Sequence, residues 1–275
     1  MKPQLELIMN NNQRVPFTEI YAKDVIDLGR EAPILKNNDV EFAYTDGETE
    51  ADANFQAFPF VLEFVLEVGS WVFLQTKLQE MYEVLYQRKA YYLHTNLMPG
   101  IFYKARVSDL QLTKWNGSIA QIKIEWSVIK GCGESFGTTL KPFTLESEKW
   151  QIGQGALAED HQYIHTKNHI QIYNAGSFEI NPRMHELKIT IQTYSQGGFK
   201  LTNRTTGEMF KFNDNERLYD TDTVIIDGTK IYKNGIRSGR LTNLGLISLA
   251  PGINEIDIDN VSRVKTAWDF RFLYK

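Results

Sequence analysis

The sequence predicts a mainly β chain with one major helix, an α+β to all-β architecture in two domains. Three observations carry this. Residues 60–68 alternate with a period of two. One segment, beginning at Leu74, follows the helical period. The second half is divided by turn signals roughly every 8–12 residues, the spacing of an antiparallel sandwich.

In chain order, Tyr44–Asn54 (YTDGETEADAN) holds four acids and no base. Such a run reads as a solvated surface loop, with a partner-docking or pore-facing loop as the alternative. Phe60, Leu62, Phe64, Leu66 and Val68 then form one wholly apolar face of a strand. The other face holds Val61, Glu63, Val65 and Glu67, and its two valines are too apolar for free solvent. Gly69-Ser70 ends the strand. Leu74, Leu78, Met81 and Leu85 recur at helical spacing, with Lys77, Glu80, Glu83 and Arg88 off that stripe. This predicts an amphipathic helix of roughly 15 residues. Pro99-Gly100 marks a turn. Strands over 102–112 and 119–129 are joined by Trp115-Asn116-Gly117-Ser118, and Asn-Gly is the strongest short hairpin signal because both central residues of such a turn need positive φ.

Residues 146–172 mix helix formers with glycines and read as a connector. Beyond them, Leu187, Ile189 and Ile191 alternate with polar residues. Turns are expected at Thr206-Gly207, Asp227-Gly228, Asn234-Gly235 and Pro251-Gly252, the last of type II. Trp268, Phe270, Phe272 and Tyr274 share one face of a final strand. Domains are therefore expected at 1–145 and 146–275. The first carries 14 Lys+Arg against 18 Asp+Glu, and the second carries 16 of each.

Composition narrows the function. The chain has 275 residues, 42% hydrophobic and 23% charged, with a net charge of -4. That is globular composition without the basic footprint of a phosphate-neutralising nucleic-acid binder. Cys132 is the single cysteine, so intramolecular disulfides and cysteine-based zinc sites are excluded. No leader or spanning segment is expected: the apolar stretch 58–74 is interrupted by Pro59, Glu63 and Glu67.

The chain shows no G-x-S-x-G, phosphate loop or dinucleotide fingerprint. Cys132 lies between two glycines and is expected to be inert, since nothing nearby in sequence activates a thiol. His161, His165 and His169 sit four apart, a metal-like spacing on a helix. However, Ile170 and Ile172 point to a strand and no H-E-x-x-H is present, so no metal site is expected. Trp71, Trp115, Trp126, Trp150 and Trp268 are the tryptophans. Trp268 reads as core. Trp115, beside a hairpin turn, is the one expected at the surface, where an aromatic commonly anchors an interface. The residues alone thus indicate a binding or structural protein, without cofactor or catalytic equipment.

The order of motifs is more specific. The 60–68 strand precedes a helix carrying LxxxLxxMYEVLY. MPGIFYKARVSD, a hairpin and IKIEWSVIKGCGES follow. Then come EKWQIGQGALAED, HIQIYNAGSFEINPRMHELKITI, LTNRTTGEMFKF, VIIDGTKIYKNG and LISLAPGINEIDI. Over roughly Pro16 to Tyr274 this resembles the distal tail protein family of siphophages that infect Gram-positive bacteria. The resemblance implies an N-terminal tail-tube-like β-sandwich with a helix and a C-terminal galectin-like sandwich. It implies a homohexameric ring at the virion tail tip, assembled in the host cytoplasm. That ring would lie between the tail-tube protein and the tail-associated protein, hold receptor-binding or other baseplate proteins, and pass DNA without specific binding or membrane insertion. Val61, Val65, Trp115, Asn116 and Gly117 are the expected contact residues. The alternative is a carbohydrate-binding sandwich for adhesion to the host wall. The chain is too short for the extra carbohydrate module of longer family members.

Overall fold

The computed structural model describes residues 2–44, 46–141, 161–213 and 215–275. The chain forms two compact units, Met1–Gly133 with Lys275, and Glu134–Tyr274. Among the described residues no helix is long and apolar enough to cross a membrane.

The elements of the first unit are β1 (Leu5–Ile8), β2 (Arg14–Val15), α1 (Phe17–Tyr21), β3 (Asp24–Arg30), β4 (Ile34–Lys36), β5 (Val40–Glu41), β6 (Glu48–Thr49), β7 (Asn54–Gln56), β8 (Phe58–Glu67), α2 (Trp71–Leu85), β9 (Tyr91–Thr95), β10 (Ile101–Trp115) and β11 (Ile119–Val128). Seven of these strands form one antiparallel sheet in the order β2-β1-β9-β10-β11-β8-β3. The alternation of β8 is what the sheet uses. Phe60, Leu62, Phe64 and Leu66 are buried, and they pair with Trp126, Ile124, Ile122 and Ala120 of β11, also buried. Helix α2 spans the predicted 15 residues and buries the predicted stripe, Leu74, Leu78, Met81 and Leu85. The Ser70 hydroxyl caps it, accepting from the Phe73 amide at 3.3 Å.

Between β3 and β8 the chain leaves the sheet as a two-tiered arm. β4 pairs with β7, and beyond them β5 pairs with β6. The segment expected as an acidic loop, Tyr44–Asn54, is therefore the outer part of a ribbon. Its strands are two or three residues long and mostly exposed, so no buried face imprints an alternation on them.

The β10–β11 hairpin turns as expected, with a different mechanism. Gly117 alone has positive φ, at 88°. Asn116 keeps negative φ and caps the turn, its Oδ1 accepting from the Ile119 amide at 2.9 Å. A Cβ at Gly117 would meet nothing within 4 Å, so the cost of substitution is conformational. Gly117→Val should lose about 1–3 kcal/mol. A melting temperature equal to wild type would show that the turn tolerates another backbone conformation.

β12 (Gly133–Ser135) straddles the boundary in the chain, and the second unit holds β13 (Ile164–His165), β14 (His169–Asn174), β15 (Leu187–Tyr194), β16 (Lys200–Asn203), β17 (Met209–Lys211), β18 (Thr223–Asp227), β19 (Lys230–Lys233), β20 (Ile236–Arg237), β21 (Gly252–Asp259), β22 (Ser262–Phe270) and β23 (Leu273–Tyr274). Two antiparallel sheets, β13-β22-β15-β18-β19-β20 and β14-β21-β16-β17, make the predicted sandwich. Leu187, Ile189, Ile191, Trp268 and Phe270 from the first are buried, as are Ile170, Ile172, Leu201 and Ile256 from the second. The LAPGIN segment closes on its own asparagine. Asn254 Oδ1 accepts from the Ala250 amide at 2.9 Å, and its Nδ2 donates to the Ala250 carbonyl at 2.8 Å. Gly252 supplies the positive φ of the turn, 87°. Part of the expected connector, 146–160, and with it Trp150, lies outside the described residues. Its remainder contains β13 and the start of β14.

Candidate assembly surface

The turn at Asn116-Gly117 brings Trp115 beside the first residue of α2. The Trp115 and Trp71 rings meet edge to face, centroids 5.7 Å apart at 67°. Trp71 is the more exposed of the two, at 51%, and Val72 and Phe73 beside it are 74% and 65% exposed. Three consecutive large apolar side chains thus stand in solvent at one end of a helix. Further along the same helix Tyr82 pairs with Tyr86 immediately beyond it, centroids 5.7 Å apart. Contiguous apolar surface of this kind marks an interaction site more often than scattered single residues do.

Trp115 therefore belongs to an exposed aromatic pair, but the surface is led by Trp71, which the sequence reading did not single out. A signal was available: a stripe through Leu74, Leu78, Met81 and Leu85 has no place for Val72 and Phe73. Val61 needs a correction of a different kind. It is 7% exposed, already covered within its own chain. Val65 is only half-buried, so of the two valines it alone keeps surface to offer.

Cys132 is buried, which keeps it from solvent. Trp126 and Trp268 are fully buried. His161, His165 and His169 line one depression of about 390 Å3 in the second unit; His161 precedes β13, His165 ends it and His169 begins β14, so none is on a helix. Each has another occupation. His161 stacks on Tyr173 with centroids 4.0 Å apart. His165 Nε2 lies 2.8 Å from the Gln162 carbonyl, and burial pushes its pKa down. His169 Nδ1 donates to Asp257 Oδ1 at 2.6 Å. Among the described residues no group of three or more His, Cys, Asp or Glu side chains could hold a metal ion.

Asp257 has a second partner, the guanidinium of Arg204. The His169 hydrogen bond first, and then Arg204, hold its carboxyl below the ordinary range. A depressed carboxyl stabilises the fold above its unfolded pKa, about 3.9, and that contribution disappears as pH falls through the lower folded value. Wild type should therefore lose urea resistance below about pH 4. Asp257→Asn should lower stability at neutral pH and flatten that acid limb. An unchanged limb would place the acid sensitivity elsewhere.

Residues 22–126 match the model of the phage tail protein RIFT-related domain. That span runs from the approach to β3 through β8, α2 and most of β11, and so contains both the arm and the Trp71/Trp115 surface. Over the whole chain the fold is shared with the Dit (gp 19.1) protein of SPP1, described as a paradigm of the hub adsorption apparatus in phages infecting Gram-positive bacteria. The TM-score is 0.68 at 12% identity, covering 99% of this chain and 100% of that one. Two structures of the phage P2 baseplate in its activated conformation, with Ca and with Sr, align at TM-scores of 0.45 and 0.44 and 10% and 9% identity. They cover 99% and 98% of this chain and 98% of each of theirs. No curated protein matches the sequence. The phage tail resemblance read from motif order thus holds for the domain and for the fold.

Proposed function

We propose that this protein is a structural hub of a siphophage tail tip or baseplate, acting through assembly and not through catalysis. Its copies form a hexameric ring that joins the tail tube to the tail-associated and receptor-binding proteins and leaves an opening for DNA. The observation that carries this reading is the end-to-end fold shared with the SPP1 hub protein, supported by the tail-protein domain over residues 22–126. The ring is built by the first unit, with the second available for baseplate partners. Its place is the virion tail tip, after assembly in the host cytoplasm.

The contact surface is Trp71, Val72 and Phe73 with the hairpin tip Trp115, Asn116 and Gly117, and Val65 adds to it. A side chain already in a partly apolar environment gains when a neighbour excludes the remaining water, and exposed aromatics are the usual anchors. The test is imaging by negative stain, alone and mixed with the tail-tube and tail-associated proteins. Six-fold rings are expected. Strict monomers that ignore both partners would overturn the proposal. Trp71→Ser with Phe73→Ser should leave the melting temperature near wild type and weaken ring or partner association about tenfold or more.

A further inference from the structure

The arm and a groove stand at opposite edges of the same sheet. The arm, residues 31–57, springs from β3 and returns into β8, at one end of the strand order. The β1–β2 hairpin is at the other end. Between that hairpin and the end of α2 lies a groove of about 690 Å3, walled by Met9, Val15, Val84 and Tyr86 and edged by Arg88 and Lys89. Six inter-strand steps of about 4.8 Å separate the two edges along the sheet.

The charges are complementary in balance: the groove carries Arg88 and Lys89 against one acid, Glu83. The arm carries seven acids, Glu31, Asp39, Glu41, Asp46, Glu48, Glu50 and Asp52, against the single base Lys36. Without it the chain would carry a slight positive charge, so the acidity of the first half is concentrated on this ribbon. Among the described residues none of these seven carboxylates forms an ion pair, and neither do Arg88 and Lys89. The apolar surfaces match too. Leu35, Val40 and Phe42 of the arm are 54%, 46% and 56% exposed, and Tyr44 near its tip is fully exposed.

We infer that the arm of one copy seats in the β1–β2/α2 groove of the next, Tyr44 and Phe42 against its apolar wall and the carboxylates towards Arg88 and Lys89. This rests on the ring proposed above and specifies one of its contacts. A projection at one edge and its socket at the other make a heterologous contact. Repeated, it closes a ring when the rotation is right and runs to a filament when it is not.

The test uses the full chain. Tyr44→Cys and Lys89→Cys variants are oxidised separately and after mixing. The only other thiol, Cys132, is buried. A disulfide-linked dimer is expected from the mixture and from neither variant alone, because the bond needs Cα atoms within about 7 Å. The double variant should give a ladder of linked oligomers. Arg88→Glu with Lys89→Glu should raise the concentration for half-assembly about tenfold, and adding Glu48→Lys and Glu50→Lys should restore it. Rings that form without the mixed disulfide and ignore charge reversal would overturn the arm contact and leave the ring standing, with the arm then facing another tail protein. Absence of both rings and cross-links, even with the tail-tube protein present, would overturn the ring and this contact together.

Discussion

Gly198→Ala is expected to be the most damaging addition of a single methyl group to the second unit. Gly198 has φ of 63°, and a Cβ there would lie 2.2 Å from the Asn213 carbonyl oxygen and 2.3 Å from that of Phe212. Both are backbone atoms, and neither is free to retreat. The Phe212 amide donates to the Phe199 carbonyl and the Asn213 amide to that of Leu241, each at 2.8 Å. Gly198 is fixed from its own side as well. Its amide donates to the Glu216 carbonyl at 2.8 Å, and its carbonyl accepts from Asn260 Nδ2 at 2.7 Å and from the Ser195 hydroxyl. Left-handed strain and overpacking together should cost about 3–5 kcal/mol, lowering the melting temperature by roughly 10 °C or more. Gly207→Ala is the control: φ is 75°, with nothing within 4 Å of the added carbon, so only the conformational cost of about 1 kcal/mol applies. Equal losses at the two glycines would show that the backbone around Gly198 relaxes and that close approach is not what selects glycine there.

The same glycines show what a sequence discloses. Asn234-Gly235 and Asn116-Gly117 are the same dipeptide at two hairpin turns. At 234–235 both residues have positive φ, 52° and 79°, as the dipeptide implies, whereas at 116–117 only the glycine does. The dipeptide locates the turn; the register of the flanking strands chooses its type. Helix α2 and strand β8 were legible because one face of each is buried over its whole length, and burial imprints its period on the residues. The arm is exposed on both sides, so its strands carry no such imprint and read as loop. The three histidines fall between these cases. Their spacing was visible, but their partners Gln162, Tyr173 and Asp257 depend on the strand pairing of β14 with β21 and on a chain reversal after β13. The Trp71 surface was legible in principle, as apolar residues out of phase with the stripe beneath them. The charge complementarity of arm and groove was not, because composition is summed over a domain while binding depends on which edge of the sheet holds the charge.

Helix α2 presents this surface, so its anchorage should matter to assembly as much as the surface residues themselves. The Trp126 indole N–H donates to the Tyr91 hydroxyl at 2.8 Å, and that hydroxyl donates to the Leu85 carbonyl, the last residue of α2, at 3.0 Å. The final carbonyls of a helix lack intrahelical donors, and here β9 supplies one. Burial raises the Tyr91 pKa above its ordinary value, so the phenol stays protonated and keeps donating through the working pH range. Tyr91→Phe removes both bonds and leaves the Trp126 N–H fully buried without its acceptor, at a cost of about 1–3 kcal/mol. Trp126→Ala empties a site that packs edge to face on Phe60, centroids 6.4 Å apart, and should cost about 3–5 kcal/mol. Neither residue is exposed, so neither can touch a partner. Assembly into the proposed ring by Tyr91→Phe should nonetheless fall, measured at a temperature where the variant remains folded, because the C-terminal end of α2, which carries the exposed Tyr82 and walls the groove with Val84 and Tyr86, is less firmly held. Lower stability with undiminished assembly would separate the two properties and show that α2 is positioned by its buried stripe alone.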